Sequence, residues 1–136
     1  MWLHIPSSGW FSIVASADDD QVLVVRARVR EDLKRLQSHI RLGPIKAHAG
    51  TDYAYRCDAT RDALAWGLAE LITNLDYTNV KSETLRVLGS KRESSMHRVW
   101  ALLLTELRDD VPARNLPAVD ADLPAAARKV GRRRRR

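Results

Sequence analysis

The residues with the clearest chemical capacity lie in VLVVRARVRED, residues 22–32. Arginine occupies every second position there, Arg26, Arg28 and Arg30, with valine and alanine between. Side chains alternate across a strand, so this spacing places three guanidinium groups on one face. Each guanidinium offers planar, paired donors that match a phosphate or a carboxylate. With Val25, Ala27 and Val29 turned toward a core, the arginines point away from it.

The same alternation recruits further residues. In IKAHA (45–49), inward Ile45 and Ala47 leave Lys46 and His48 outward. In YAYRCDA (53–59), inward Tyr53, Tyr55 and Cys57 leave Arg56 and Asp58 outward. In FSIVAS (11–16), inward Phe11 and Ile13 leave Ser12 outward. The expected anion-binding face therefore holds Arg26, Arg28, Lys46, His48 and Arg56, tempered by Asp58. The competing reading is an ordinary solvated face, or arginines paired with Asp58 and the Asp18–Asp20 turn. In a third arrangement the C-terminal helix, with Trp100, folds across the face and hides it. A second basic element is RKVGRRRRR at the end, with Arg132, Arg133, Arg134, Arg135 and Arg136 in succession. Such a run neutralises phosphates by releasing counterions and reads no bases. A solubilising role, or contact with an acidic protein, fits it equally.

Other chemistries find less support. His4, His39, His48 and His97 lack metal-ligand spacing, so no metal is expected. The single cysteine, Cys57, forms no internal disulfide and reads as an inert thiol. The six glycines are isolated, so there is no phosphate-cradling loop. No cofactor is implied. A metal-independent ribonuclease is a lesser alternative, with His48, Arg56 and Tyr53 or Tyr55 doing acid–base work and stabilising phosphate. Tyr53 and Tyr55 could also stack on bases, although their assigned face makes them core residues. Trp66 and Trp100 fit helix core positions, and Trp2 and Trp10 flank the first strand. Burial is expected for each; the alternative is partial exposure of Trp2 and Trp10, which near a basic face would favour a binding surface.

Positioning these residues requires a repeating set of elements. FSIVAS and VLVVRARV form a hairpin about the acidic turn at Ala17–Asp20. Glu31 and Asp32 sit where a helix dipole favours negative charge, before Leu33, Leu36 and Ile40 at helical spacing. Gly43-Pro44 stops that helix. IKAHA and YAYRCDA form a second hairpin. Thr60 is an N-cap, with Asp62 in the first turn, for a helix carrying Leu64, Leu68, Leu71, Ile72 and Leu75. Sliding the chain by 30 residues lays Arg26 on Arg56 and Asp32 on Asp62. Two more helices are expected. One runs from Tyr77 to Leu88, capped by Asp76 and ended by Gly89. The other runs from Lys91 to Arg108, with Met96, Val99, Trp100, Leu103, Leu104 and Leu107 on one face.

The expected fold class is therefore α+β. A mainly antiparallel sheet forms from two β-hairpins (ββα-ββα), with helices on one face and one or two C-terminal helices. Residues 1–110 form a single domain. Residues 111–136, punctuated by Pro112, Pro117 and Pro124, form a linker and Arg-rich tail expected to be disordered. A chain of 136 residues with 45% hydrophobic content can bury one core. No apolar run approaches the length of a membrane span. The start, MWLHIPSSGW, lacks the basic and apolar regions of a secretory signal, so a cytoplasmic location is expected. The net charge of +6 belongs to the tail. Residues 128–136 hold seven of the 23 basic residues and none of the 17 acidic ones, so residues 1–127 carry 16 against 17.

The segment TDYAYRCDATRDALAWGLAELITNLDYTNVK (51–81), with HRVWALLLTEL (97–107), MWLHIPSSGWFSIVAS and VRARVREDL, carries a resemblance. It is similar to a group of small uncharacterised proteins from bacterial genomes and bacteriophages. They share a Trp-Leu-His start, an Arg-Ala-Arg strand, a Tyr-x-Tyr-Arg strand, an Asp-Tyr-x-Asn-x-Lys segment and a Val-Trp near the end. The resemblance covers residues 1–107, and Leu75–Lys81 departs from the pattern at three positions. It implies a bacterial or phage source, in a bacterial or host cytoplasm, and no particular activity. The functional expectation is a non-enzymatic binding protein that contacts nucleic acid or another polyanion through the basic face and the tail. The alternative is a protein-interaction module, such as a regulator or a phage-encoded inhibitor of a host protein. No membrane partner is expected, and the sequence is silent on oligomeric state.

Overall fold

A computed structural model describes residues 1–47 and 50–107. The chain forms two compact units, one from Met1 to Ser90 and one beginning at Lys91. The first unit is an antiparallel sheet with helices packed on one face. Its strands are β1 (Trp2–Ile5), β2 (Gly9–Ala15), β3 (Val22–Ala27), β4 (Lys46–Ala47) and β5 (Tyr55–Thr60). Their spatial order is β1-β2-β3-β5-β4. The helices of this unit are α1 (Arg30–Gln37), α2 (Arg61–Thr73) and α3 (Val80–Leu88).

Both expected hairpins form, and every strand pairing is antiparallel. The hairpins join through β3 and β5, with Val25 opposite Cys57 and Arg26 opposite Arg56. The expected two-hairpin sheet gains a fifth strand. β1 pairs with β2, from Trp2 opposite Ser12 to Ile5 opposite Gly9. Its four residues are followed at once by Pro6, too short a run to stand out by alternation.

The core lies between the sheet and α1 and α2. Phe11, Ile13, Val25, Ala27, Cys57 and Ala59 come from the strands, and Leu33, Leu36, Ile40 and Leu64 from the helical side. α1 is shorter than its apolar pattern predicts. It ends at Gln37, and Ile40 packs into the core from the following loop. α2 starts as expected, with the Thr60 hydroxyl accepting a hydrogen bond from Ala63 N at 3.2 Å. Leu64, Leu68 and Leu71 face the core, but Ile72 and Leu75 are exposed. Trp66 is 77% exposed, so its helical position is on the outer side of α2 and not in the core. α3 is capped by Asn79, whose side chain accepts from Ser82 N, and not by Asp76. The helix therefore begins at Val80 and not at Tyr77.

The described part of the second unit is α4 (Ser90–Glu106). Met96 and Ala101 are buried on it, whereas Val99, Trp100, Leu103 and Leu107 are exposed. The Trp100 ring lies 5.6 Å from that of His97, one turn away. Among the described residues, no helix is long and apolar enough to cross a membrane. The expected linker and tail, 111–136, lie outside the described residues.

Candidate functional site

The outward face of the sheet is built by register. Trp2 stands opposite Ser12, Ser12 opposite Arg26, Arg26 opposite Arg56, and Arg56 opposite Lys46. Directly opposed residues of antiparallel strands share a face. These five therefore form one transverse row across all five strands. Three cations occupy its β3, β5 and β4 positions, and an indole occupies its β1 end. The adjacent row begins with His4 opposite Trp10, whose rings lie 4.8 Å apart. The row on the other side holds Val14, Val24 and Asp58.

Residues 51–53, ahead of β5, reach the middle of this face. Tyr53 is 7% exposed, but it does not join the core as its alternation with Tyr55 and Cys57 predicts. Strand β5 begins only at Tyr55, so the alternation does not extend back to Tyr53. Its ring lies against two guanidinium groups instead, 4.9 Å from the Arg26 carbon and 4.4 Å from that of Arg28. Arg28 also donates to the Asp52 carboxylate at 2.7 Å. Arg26 Nη2 donates to the Ser12 hydroxyl at 2.7 Å, and Ser12 is buried beneath it. Arg56 Nη2 donates to Thr51 Oγ1 at 3.4 Å. Lys46 pairs with Asp58 at 2.7 Å across the β4–β5 ladder.

The structure thus assembles Arg26, Arg28, Lys46 and Arg56 and supplies partners for them. The expected pairing of an arginine with Asp58 gives way to Lys46 on Asp58, while Arg28 pairs with Asp52. In the Asp18–Asp20 turn, the Asp19 carboxylate accepts from Gln21 N and the Asp20 carboxylate from the Gln21 side chain. The three-arginine strand is shorter than the pattern implies. Val29 precedes α1 and is exposed, and Arg30 is the first residue of that helix. His48 and the run Arg132–Arg136 lie outside the described residues. Tyr55 faces the core.

Four cations and two carboxylates, Asp52 and Asp58, give this cluster a surplus of two positive charges. Arg26 and Arg56 are directly opposed like charges, an arrangement unfavourable between neighbouring strands. The buried Arg26 Nε has no hydrogen-bond partner among the described residues. An anion set between the two guanidiniums relieves both deficits.

Two residues that sequence reasoning missed belong to the site. Asp52 and Thr51 come from a turn whose composition signals only a reversal. For Trp2, beside the first strand, the sequence favours burial, with partial exposure as the alternative. Trp2 stands on β1 and is 70% exposed. Cys57 is fully buried on the opposite face, and burial first, then the Asp58 charge, pushes its thiol up to about 11. Elsewhere a cleft of about 310 Å³ gathers Glu70, Asp76 and Glu83 around Tyr77. Burial, then Glu83 and Asp76, raises the Tyr77 phenol. Among the described residues, no group of three histidine, cysteine or acidic side chains is placed to hold a metal ion. Compared with protein-family models, curated proteins and solved structures, the chain matches none of them.

Proposed function

We propose that the protein is a non-enzymatic binding protein that holds a polyanion, nucleic acid above all, on the outward face of its sheet. The observation that carries this reading is the direct opposition of Arg26 and Arg56, with Lys46 next in the row. Strand pairing fixes these cations at a spacing of about 5 Å, and the Tyr53 stack holds Arg26 without neutralising it. Arginine forks preorganised in this way lose little side-chain freedom when they meet a phosphate. The tail adds charge without selectivity.

The test is fluorescence anisotropy with a labelled oligonucleotide at two salt concentrations. Two surplus charges meeting a single strand give a salt slope of about −1.4, so affinity falls roughly sevenfold between 50 and 200 mM salt. Contacts from the tail steepen it. Arg26→Gln with Arg56→Gln should weaken binding at 50 mM while leaving the fold intact. Equal binding by this variant and the parent would remove the face from the reading.

A second reading is a protein-interaction module. It is supported by the outer side of α2, where Trp66 and Ile72 are 77% and 71% exposed on a helix that is apolar nearly all round. Nuclease-treated affinity capture with the parent and with Trp66→Ala separates the two. A protein lost from the variant supports this reading, and recovery of nucleic acid alone, before nuclease, opposes it.

A further inference from the structure

The transverse row has two chemically different ends. At the β5–β4 end are Arg56 and Lys46, with Arg26 beside them on β3. At the β1 end is Trp2, on the same face by its pairing with Ser12. Strands lie about 4.8 Å apart, so the row from Trp2 to Lys46 spans about 19 Å in a straight line. Ser12, between them, is buried beneath the Arg26 side chain, so the Arg26 guanidinium is the next group along the row from the indole.

A ligand complementary to this row carries negative charge along one side and flat, stackable groups along the other. Single-stranded nucleic acid has that chemistry. Its phosphates can lie over the cations while an unpaired base stacks on an exposed aromatic ring. A duplex keeps its bases stacked internally, and a flat sheet offers no helix to enter a groove. We infer that the outward sheet face binds single-stranded nucleic acid across the strands, with a base stacked on Trp2 and the backbone phosphates on Arg26, Arg56 and Lys46.

The platform is Trp2 and neither of the tyrosines. Tyr55 packs against the core, and the Tyr53 ring is already covered by Arg26 and Arg28. Tyr53 instead positions the guanidiniums. Because the strand crosses the sheet, the site reads the presence of an unpaired base and not its identity.

This inference rests on the polyanion reading, and its test separates the two. The full chain is titrated at 50 mM salt with three probes: a labelled single-stranded oligonucleotide, its duplex, and base-free polyphosphate. The proteins compared are the parent, Trp2→Ala, Trp2→Phe and the Arg26→Gln/Arg56→Gln pair. Trp2→Ala should lose about tenfold in affinity for the single strand, Trp2→Phe much less, and neither should change for polyphosphate. Tryptophan emission of the parent should be quenched by the single strand, and less so in Trp2→Phe. This second measurement serves if the alanine variant folds poorly. Unchanged single-strand binding by Trp2→Ala, or equal binding of duplex and single strand, overturns the inference. If polyphosphate still binds and depends on Arg26 and Arg56, the polyanion reading survives that result. If none of the three probes binds, both fall.

Discussion

Asp32 illustrates how one residue ties local chemistry to the fold. It lies in the first turn of α1, where negative charge is favoured, yet it is 1% exposed. Its carboxylate accepts from Trp10 N at 3.3 Å, and the Arg35 guanidinium stands 3.7 Å away. The chain makes room for it with Gly9, which has φ of 138°; a Cβ there would fall 2.3 Å from the carboxylate. Asp32→Ala should therefore cost about 1–3 kcal/mol in chemical denaturation, since it strands a backbone donor. Cys57 gives a pH signature. Its folded thiol titrates near 11 against an ordinary value of 9.0, so the fold favours the neutral form. That stabilisation is complete below pH 9 and is lost as pH rises through 11. Two units correspond to about 3 kcal/mol. Denaturation curves across this window should show a steeper loss for the parent than for Cys57→Ala. The native thiol should also resist a disulfide reagent until denaturant is added.

At the scale of elements, the junction between α2 and the loop after α1 is a close contact. A Cβ on Gly67 would meet the Ile40 side chain at 2.6 Å, and Ile40 is itself buried in the core. Gly67→Ala gains about 1 kcal/mol of helix propensity but forces overpacking that costs about 1–3 kcal/mol. The expected net result is a lower denaturation midpoint. Trp66→Ala on the same helix should leave the midpoint nearly unchanged, because the indole is exposed. A marked loss there would mean that the outer side of α2 is covered in solution. For the β4–β5 turn, Tyr53→Leu removes two cation–π contacts, each worth about 0.5–1 kcal/mol, while retaining apolar bulk. Its anisotropy titrations should show weaker polyanion binding, through arginines no longer held in place.

At the scale of the whole molecule, charge is divided unevenly. The first 127 residues are close to neutral, and the last nine hold seven cations. A salt slope measured on the full chain therefore mixes two sources. Replacing Arg132–Arg136 with glutamine should flatten the slope, while the dependence on Arg26, Arg56 and Trp2 should persist. If binding vanishes with those five arginines, the tail accounts for all of it, and if binding remains but does not respond to those three residues, the sheet face contributes nothing.

Much of the fold was legible because its periodicities are local. Alternation in FSIVAS and VLVVRARV identified β2 and β3 and their inward faces. Thr60 marked the start of α2 by a hydrogen bond made within one turn. The net neutrality of the body and the basic tail needed only counting. What the sequence determined about the site was one property of single strands: Arg26, Lys46 and Arg56 would each face away from the core. Tertiary structure decided the rest, because strand order and register are not encoded in any one segment. The pairing of β3 with β5 set Arg26 against Arg56, and β1 carried Trp2 into the same row. The turn before β5 broke the alternation at Tyr53, which left the core and settled against two arginines. The physical reason is that these contacts depend on where separate segments meet, and that is settled by burying the opposite face of the sheet under α1 and α2.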